Sequence, residues 1–119
     1  MRIDLDTARG TLMVRISGEI DLAVADRLRS SIDQEWKKGK ATKLVLDLSE
    51  VQFIDSSGLG VILGRYKLVT ASGGRLYILR PRPVVERMLE VSGVKKIISI
   101  CANEKEIFQN GHDMDILRR

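Results

Sequence analysis

The residues best suited to chemistry lie in one short segment, Asp55-Ser56-Ser57-Gly58-Leu59-Gly60. A serine hydroxyl can act as a nucleophile, or it can accept a phosphoryl group from another enzyme. A nucleophilic serine needs a general base within hydrogen-bond reach and a third group that orients this base. The single histidine, His112, lies close to the C-terminus in a segment that we expect to be frayed. The sequence therefore favours a serine that is modified over one that catalyses a reaction.

No motif indicates a bound cofactor or metal. The sequence contains neither a Gly-x-Ser-x-Gly segment nor a Gly-rich Walker loop, and its Cys and His residues lack the spacing of metal ligands. The single cysteine, Cys101, follows the mainly apolar residues 97–100, which predicts a buried thiol rather than a nucleophile. We therefore expect no cofactor, no metal site and no enzymatic activity.

Length and composition predict one soluble globular domain over residues 1–119, and we expect a frayed tail from about residue 111. The net charge is +4, but the basic residues are scattered and aromatic residues make up only 4%, so we expect no nucleic-acid partner. No apolar run approaches the roughly 20 residues that span a bilayer, and the start lacks the apolar core of a signal peptide. These features predict a cytoplasmic protein without membrane contact.

A strand and a helix are predicted on either side of the serines. Residues 44–48 are almost continuously apolar, which predicts a strand covered on both faces, followed by a polar break at Ser49-Glu50. Asp55 and the serines are preferred N-cap residues, so the helix is expected to start there. Its apolar stripe at i, i+3, i+4, i+7 spacing consists of Leu59, Ile62, Leu63 and Tyr66.

Three glycines in this helix need an explanation, because each glycine costs about 1 kcal/mol relative to alanine. They are Gly58, Gly60 and Gly64. Ser57, Gly60, Val61 and Gly64 share a face that is rotated away from the apolar stripe. Two interpretations remain: a smooth patch that another molecule approaches closely, or close packing of the helix against its own sheet.

Elsewhere, strands alternate with helices. The chain is predicted to start with a hairpin that has one buried face, to break at Gly18-Glu19, and to form a helix with Asp21 as a plausible N-cap. The stripe of that helix is Val24, Leu28, Ile32 and Trp36. Strands follow at residues 76–79 and 97–100, a helix begins near Pro83, and Asn103 with Glu106 has the pattern of a capping box. This order predicts a largely parallel sheet made mixed by the hairpin.

The segment FIDSSGLGVILGRYK at residues 53–67, together with Gly18-Glu19-Ile20-Asp21, resembles the STAS-domain anti-sigma factor antagonists. The resemblance covers essentially the whole chain and is strongest to the sporulation branch, which releases the forespore sigma factor, sigma F. It implies the STAS fold, a small mixed β-sheet flanked on one side by about four helices.

The resemblance also implies a partner switch. The unphosphorylated protein would bind an anti-sigma factor that is also a serine kinase of the GHKL ATPase type, and a PP2C-type phosphatase would reverse the phosphorylation. ATP and Mg²⁺ would belong to that kinase. Family members are phosphorylated on the serine directly after the aspartate, here Ser56, although spacing alone does not choose between Ser56 and Ser57. The residues expected to bind the partner are Gly18, Glu19, Asp21, Asp55, Ser56, Ser57, Gly58, Gly60, Val61 and Gly64.

Alternatives remain open at this point. A stress-response antagonist would use the same mechanism with another sigma factor. A structural or nucleotide-sensing STAS module would never be phosphorylated, although no phosphate-binding loop is evident. For Asp21, a role as N-cap of its helix is almost as well supported as contact with the partner.

Overall fold

The structure, a computed structural model, describes residues 1–108. The strands are β1 (Arg2–Ala8), β2 (Thr11–Ile20), β3 (Lys43–Ile54), β4 (Arg75–Leu79) and β5 (Ser99–Cys101). The helices are α1 (Leu22–Trp36), α2 (Ser56–Ala71) and α3 (Pro83–Val91), followed by a 3-10 turn at Val94–Lys96 and helical residues 104–108. The predicted frayed tail and His112 lie outside the described residues.

The strands form one sheet in the order β1-β2-β3-β4-β5. β1 pairs with β2 in antiparallel orientation, and the other three pairs are parallel. Each parallel connection runs through a helix, α1, α2 or α3 in turn, as expected for β-α-β units. The predicted mixed α/β fold is confirmed.

The two faces of the sheet bury separate apolar clusters. The larger cluster joins alternate strand residues such as Leu44 and Leu46 to helices α1, α2 and α3. The smaller cluster, on the opposite face, consists of Met13, Val45, Tyr77, Leu79, Cys101 and Ile107. The prediction that all helices lie on one side of the sheet is therefore wrong for residues 104–108, which cover the opposite face. The prediction of a hairpin with one buried face is also wrong, because Met13 of β2 is buried on the opposite face. Apolar residues on both faces of the strands require cover on both sides.

Several predicted boundaries also need correction. β2 does not break at Gly18-Glu19 but continues to Ile20, and β3 continues through Ser49-Glu50, because the two strands stay paired through irregularities in register. The last strand begins at Ser99 rather than at residue 97, since the preceding 3-10 turn occupies the approach to it. Strand pairing decides these positions, and it is not visible in local apolar patterns.

Helix α2 is rotated relative to its predicted stripe. Ile62 is buried as expected, but Leu59, Leu63 and Tyr66 are only partly buried. The buried positions are Gly58, Val61, Ile62, Arg65 and Val69. The rotation has a physical reason: α2 packs against α1 as well as the sheet, and Arg65 Nε lies 2.9 Å from Asp33 Oδ1 of α1.

Other local predictions hold. Helix α1 buries Leu28, Ile32 and Trp36, with Ala25 in place of the partly exposed Val24. Helix α3 begins at Pro83. Asn103 Oδ1 accepts a hydrogen bond of 3.0 Å from the Glu106 amide, while the Glu106 carboxylate accepts one from the Ala102 amide at 2.8 Å.

Cys101 is buried, and this burial raises the pKa of its thiol. Among residues 1–108, no helix is long and apolar enough to cross a membrane.

Candidate functional site

The carboxyl ends of β2 and β3 bring the two sequence motifs together. Glu19 pairs with Phe53 and Ile20 with Ile54, so the Gly18-Glu19-Ile20-Asp21 motif lies directly beside the start of α2. The Asp55 amide donates a hydrogen bond of 3.2 Å to the Ile20 carbonyl. The two motifs are therefore neighbours, and the first belongs mainly to β2.

Asp55 fixes the start of α2. Its backbone is extended, with φ −103° and ψ −173°, and its carboxylate accepts a hydrogen bond of 3.1 Å from the Gly58 amide. Its carbonyl oxygen accepts a second bond of 3.0 Å from the Leu59 amide. Asp55 is therefore the helix N-cap in position and in bonding, and it holds the following serines in a defined place.

Ser56 and Ser57 are the first two residues of α2. Ser56 is exposed, whereas Ser57 is partly buried. The side-chain hydrogen bonds found within residues 1–108 involve neither hydroxyl group. The first amides of a helix have no partner inside it, and the helix dipole favours negative charge at this end. The Ser56 hydroxyl is therefore open to another enzyme, at a place where an anion is tolerated.

The glycines of α2 divide between the two interpretations. A Cβ on Gly58 would lie 2.6 Å from the Ile20 carbonyl oxygen and 2.6 Å from Ile54 Cγ1, so internal packing explains this glycine. A Cβ on Gly60 or Gly64 would meet no atom of the described residues within 4 Å. Packing within residues 1–108 does not require these two glycines, and they leave a smooth strip on the helix surface. Val61, in contrast, is buried in the core.

Asp21 has the predicted N-cap position of α1 but not the bonding of a cap. Its backbone is extended, and its side chain accepts no hydrogen bond from the first turn of the helix. Within the described residues, its buried Oδ1 atom has no hydrogen-bond partner. Nearby, Gly18 has φ +98°, a conformation that favours glycine. The missing cap bond weakens the N-cap interpretation of Asp21.

The carboxylates at this edge carry negative charge without an ion-pair partner among the described residues. Among the ion pairs found between residues 1 and 108, none involves Glu19, Asp21 or Asp55. The buried Asp47, by comparison, bonds to the Ser49 amide at 3.0 Å and to Arg80 at 3.2 Å. Burial alone would raise the pKa of Asp47, but these hydrogen bonds hold it below its usual value. The site is locally acidic although the chain carries a net charge of +4.

Two exposed apolar side chains at this edge were missed by the sequence reasoning. Leu22, the first residue of α1, is 76% exposed, and Phe53, two residues before Asp55, is 43% exposed. The exposure of Leu22 could have been predicted, because this apolar residue lies outside the buried stripe of its helix. Within the described residues, no cluster of His, Cys, Asp and Glu side chains is arranged to hold a metal ion.

Comparison with known proteins identifies the family. The STAS domain model matches residues 2–107. The anti-sigma F factor antagonist of Paenibacillus polymyxa is 43% identical over 104 residues, covering 87% of this chain and 89% of that protein. The anti-sigma-B factor antagonist of Bacillus subtilis is 30% identical over 105 residues, covering 88% of this chain and 94% of that protein.

Solved structures agree with this assignment. The unphosphorylated form of the anti-sigma factor antagonist SpoIIAA superposes with a TM-score of 0.80 at 28% identity, covering 94% of this chain and 97% of that one. The phosphorylated form of Bacillus SpoIIAA gives a TM-score of 0.71 at 28% identity, covering 92% and 98%. The chain therefore belongs to the STAS-domain family, in the branch of the anti-sigma factor antagonists.

Proposed function

We propose that this chain releases a sporulation sigma factor, sigma F, by binding the anti-sigma factor that holds it. That partner is a serine kinase of the GHKL ATPase type, which phosphorylates Ser56 and so ends the binding; a PP2C-type phosphatase restores the active form. The observation that carries the proposal is the exposed Ser56 hydroxyl at the start of α2, directly after the capping Asp55.

Three findings support the finer parts of this proposal. Ser56 is more exposed than Ser57, which favours Ser56 as the residue that a kinase can reach. The relative named for sigma F is 43% identical and the relative named for sigma-B is 30% identical, which favours sigma F over a stress-response factor. The likeness to a phosphorylated SpoIIAA structure supports a switch by phosphorylation.

The position of Ser56 explains how a phosphate can end binding without unfolding the protein. A phosphoserine adds about 1.5 to 2 negative charges, and a helix N-terminus favours an anion by about 0.3 to 1 kcal/mol. In a protein interface, however, the same charge must lose its water, beside the carboxylate of Asp55, and such a loss costs several kcal/mol unless it is compensated. The phosphate therefore acts on the complex and leaves the fold intact.

The remaining expectations are parts of the same proposal. The chain acts in the cytoplasm as a single STAS domain over residues 1–119, without contact to nucleic acid or membrane. It is the substrate of the kinase, and ATP and Mg²⁺ are held by that partner. The proposed contact residues are Gly18, Glu19, Asp21, Asp55, Ser56, Ser57, Gly58, Gly60, Val61 and Gly64. Gly58 and Val61 are buried, so they support the contact surface by packing beneath it.

The direct test is phosphorylation by the anti-sigma factor encoded in the same genome. The protein is incubated with that kinase and Mg-ATP, its intact mass is measured, and modified peptides are mapped. We expect one phosphate, on Ser56, which is absent from Ser56→Ala and retained in Ser57→Ala. A phosphate on Ser57 would keep the function and correct the site. No phosphate from an active kinase would favour the structural or nucleotide-sensing alternative.

A second experiment separates the two roles of Asp21. Because the Asp21 side chain makes no cap hydrogen bond, we expect Asp21→Asn to change the free energy of unfolding by no more than about 0.5 kcal/mol. Loss of its charge should weaken binding to the anti-sigma factor roughly tenfold, or about 1.4 kcal/mol. Denaturant unfolding and calorimetric titration measure the two quantities. Undiminished affinity would return Asp21 to a purely structural role.

A further inference from the structure

Exposed apolar side chains occur at both edges of the sheet. At the carboxyl edge of the strands, Leu22 follows β2 and Phe53 lies near the end of β3. At the amino edge, Val91 ends α3 and is 73% exposed, while Ile97 precedes β5 and is 50% exposed. The two groups have similar exposure, but only the first adjoins the proposed phosphorylation site.

Leu22 and Phe53 are continuous with the candidate site in the chain and across the sheet. Leu22 directly follows Asp21, and Phe53 pairs with Glu19 across β2 and β3. Neither residue belongs to the buried apolar clusters. A large apolar side chain at the rim of a polar site gains by being covered, because its area is then removed from water.

The charges around the two groups differ. Glu19 pairs with Phe53 across β2 and β3, Asp21 directly precedes Leu22, and Asp55 lies two residues after Phe53. None of these three carboxylates forms an ion pair within residues 1–108. Around Val91 and Ile97, in contrast, the charges are mixed: Lys95 Nζ lies 3.4 Å from Glu86 Oε1, and Glu90 and Lys96 are close by in the chain. At the carboxyl edge, this protein presents apolar side chains bordered by acidic ones. A partner that covers this edge must therefore present apolar side chains bordered by basic ones.

We propose that Leu22 and Phe53 are the apolar anchors by which the unphosphorylated protein holds its anti-sigma factor. The facing surface of that partner carries an apolar patch bordered by basic side chains. This inference rests on the proposed function and adds the residues that supply contact area beside the serine switch. Leu22 and Phe53 set the affinity of the complex, and the state of Ser56 decides whether the complex forms.

The test uses matched pairs of variants. Leu22→Ser and Phe53→Ser remove the proposed anchors, and Val91→Ser and Ile97→Ser remove side chains of comparable exposure at the other edge. Affinity for the purified anti-sigma factor is measured by calorimetry with Mg-ADP, which has no γ-phosphate to transfer. We expect each anchor variant to bind about tenfold or more weakly, and each control to bind within about threefold of wild type. Leu22→Met, which keeps an apolar side chain, should retain wild-type affinity.

Each other outcome would overturn the inference in an identifiable way. If the anchor variants bind like wild type while Ser56→Asp fails to bind, the anchors are wrong and the proposed function stands. If wild type does not bind the anti-sigma factor at all, the proposed function fails and the inference falls with it. If sedimentation shows a self-associating wild type that both Leu22→Ser and Val91→Ser make monomeric, the carboxyl edge is covered by the amino edge of a second copy instead.

Discussion

Ser56→Asp should bind the anti-sigma factor roughly 100-fold more weakly than wild type, whereas Ser56→Ala should bind as tightly as wild type and resist inactivation by the kinase. An uncompensated charge in an interface costs about 2 to 5 kcal/mol, and each 1.4 kcal/mol changes affinity tenfold. Aspartate carries one negative charge and a phosphoserine carries about 1.5 to 2, so the phosphate should weaken binding further. Titration calorimetry with Mg-ADP measures these affinities.

The same substitution should leave the fold intact. An acidic residue in the first turn of α2 interacts favourably with the helix dipole, so the free energy of unfolding of Ser56→Asp should equal or slightly exceed that of wild type. Ser30→Asp is the matched control for the affinity measurement, because Ser30 is an exposed serine on α1 and lies outside both motifs. It adds the same charge and should bind the anti-sigma factor like wild type. Equal affinity of Ser56→Asp and Ser56→Ala for the anti-sigma factor would disprove the switch.

Local signals were sufficient to predict where α2 starts, and Ser56 and Ser57 are its first two residues. The cap formed by Asp55 depends on residue type and on the bond to Gly58, three positions along the chain, so sequence reasoning can find it. The buried β3 depends only on a continuous apolar run. The resemblance to a known family then distinguished Ser56 from Ser57, a choice that spacing alone did not allow.

Features that depend on distant neighbours were not predictable in this way. The extension of β2 through Gly18-Glu19 follows from pairing with β3, more than thirty residues away in sequence. The buried face of α2 follows from contact with α1, through the pair of Arg65 and Asp33. Periodicity describes one helix at a time, so it assigns a stripe to the core and cannot show a second helix on the adjoining face.

Gly58 is the residue whose replacement should disturb both stability and binding. In Gly58→Ala the new Cβ would lie 2.6 Å from a backbone oxygen, that of Ile20, and this atom cannot move aside as a flexible side chain can. Helix α2 must therefore shift away from β2. Overpacking of this kind costs about 1 to 3 kcal/mol, and three atoms lie under 3.0 Å from the new Cβ, which favours the upper part of this range. The higher helix propensity of alanine offsets up to about 1 kcal/mol of the cost, so we expect a net loss of roughly 1 to 2 kcal/mol. Denaturant unfolding measures this loss.

Gly60→Ala is the control in the same helix, and it should act in the opposite direction. Its Cβ meets no atom of residues 1–108 within 4 Å, so the free energy of unfolding should rise by about 0.5 to 1 kcal/mol through helix propensity alone. If the smooth strip of Gly60 and Gly64 touches the anti-sigma factor, this more stable variant binds more weakly. Gly58→Ala should weaken binding too, because a shift of α2 moves Ser56 away from the Gly18-Glu19-Ile20-Asp21 motif. A stabilised Gly60→Ala with unchanged affinity would remove the strip from the interface, and a Gly58→Ala variant as stable as wild type would show that α2 is not held by this contact.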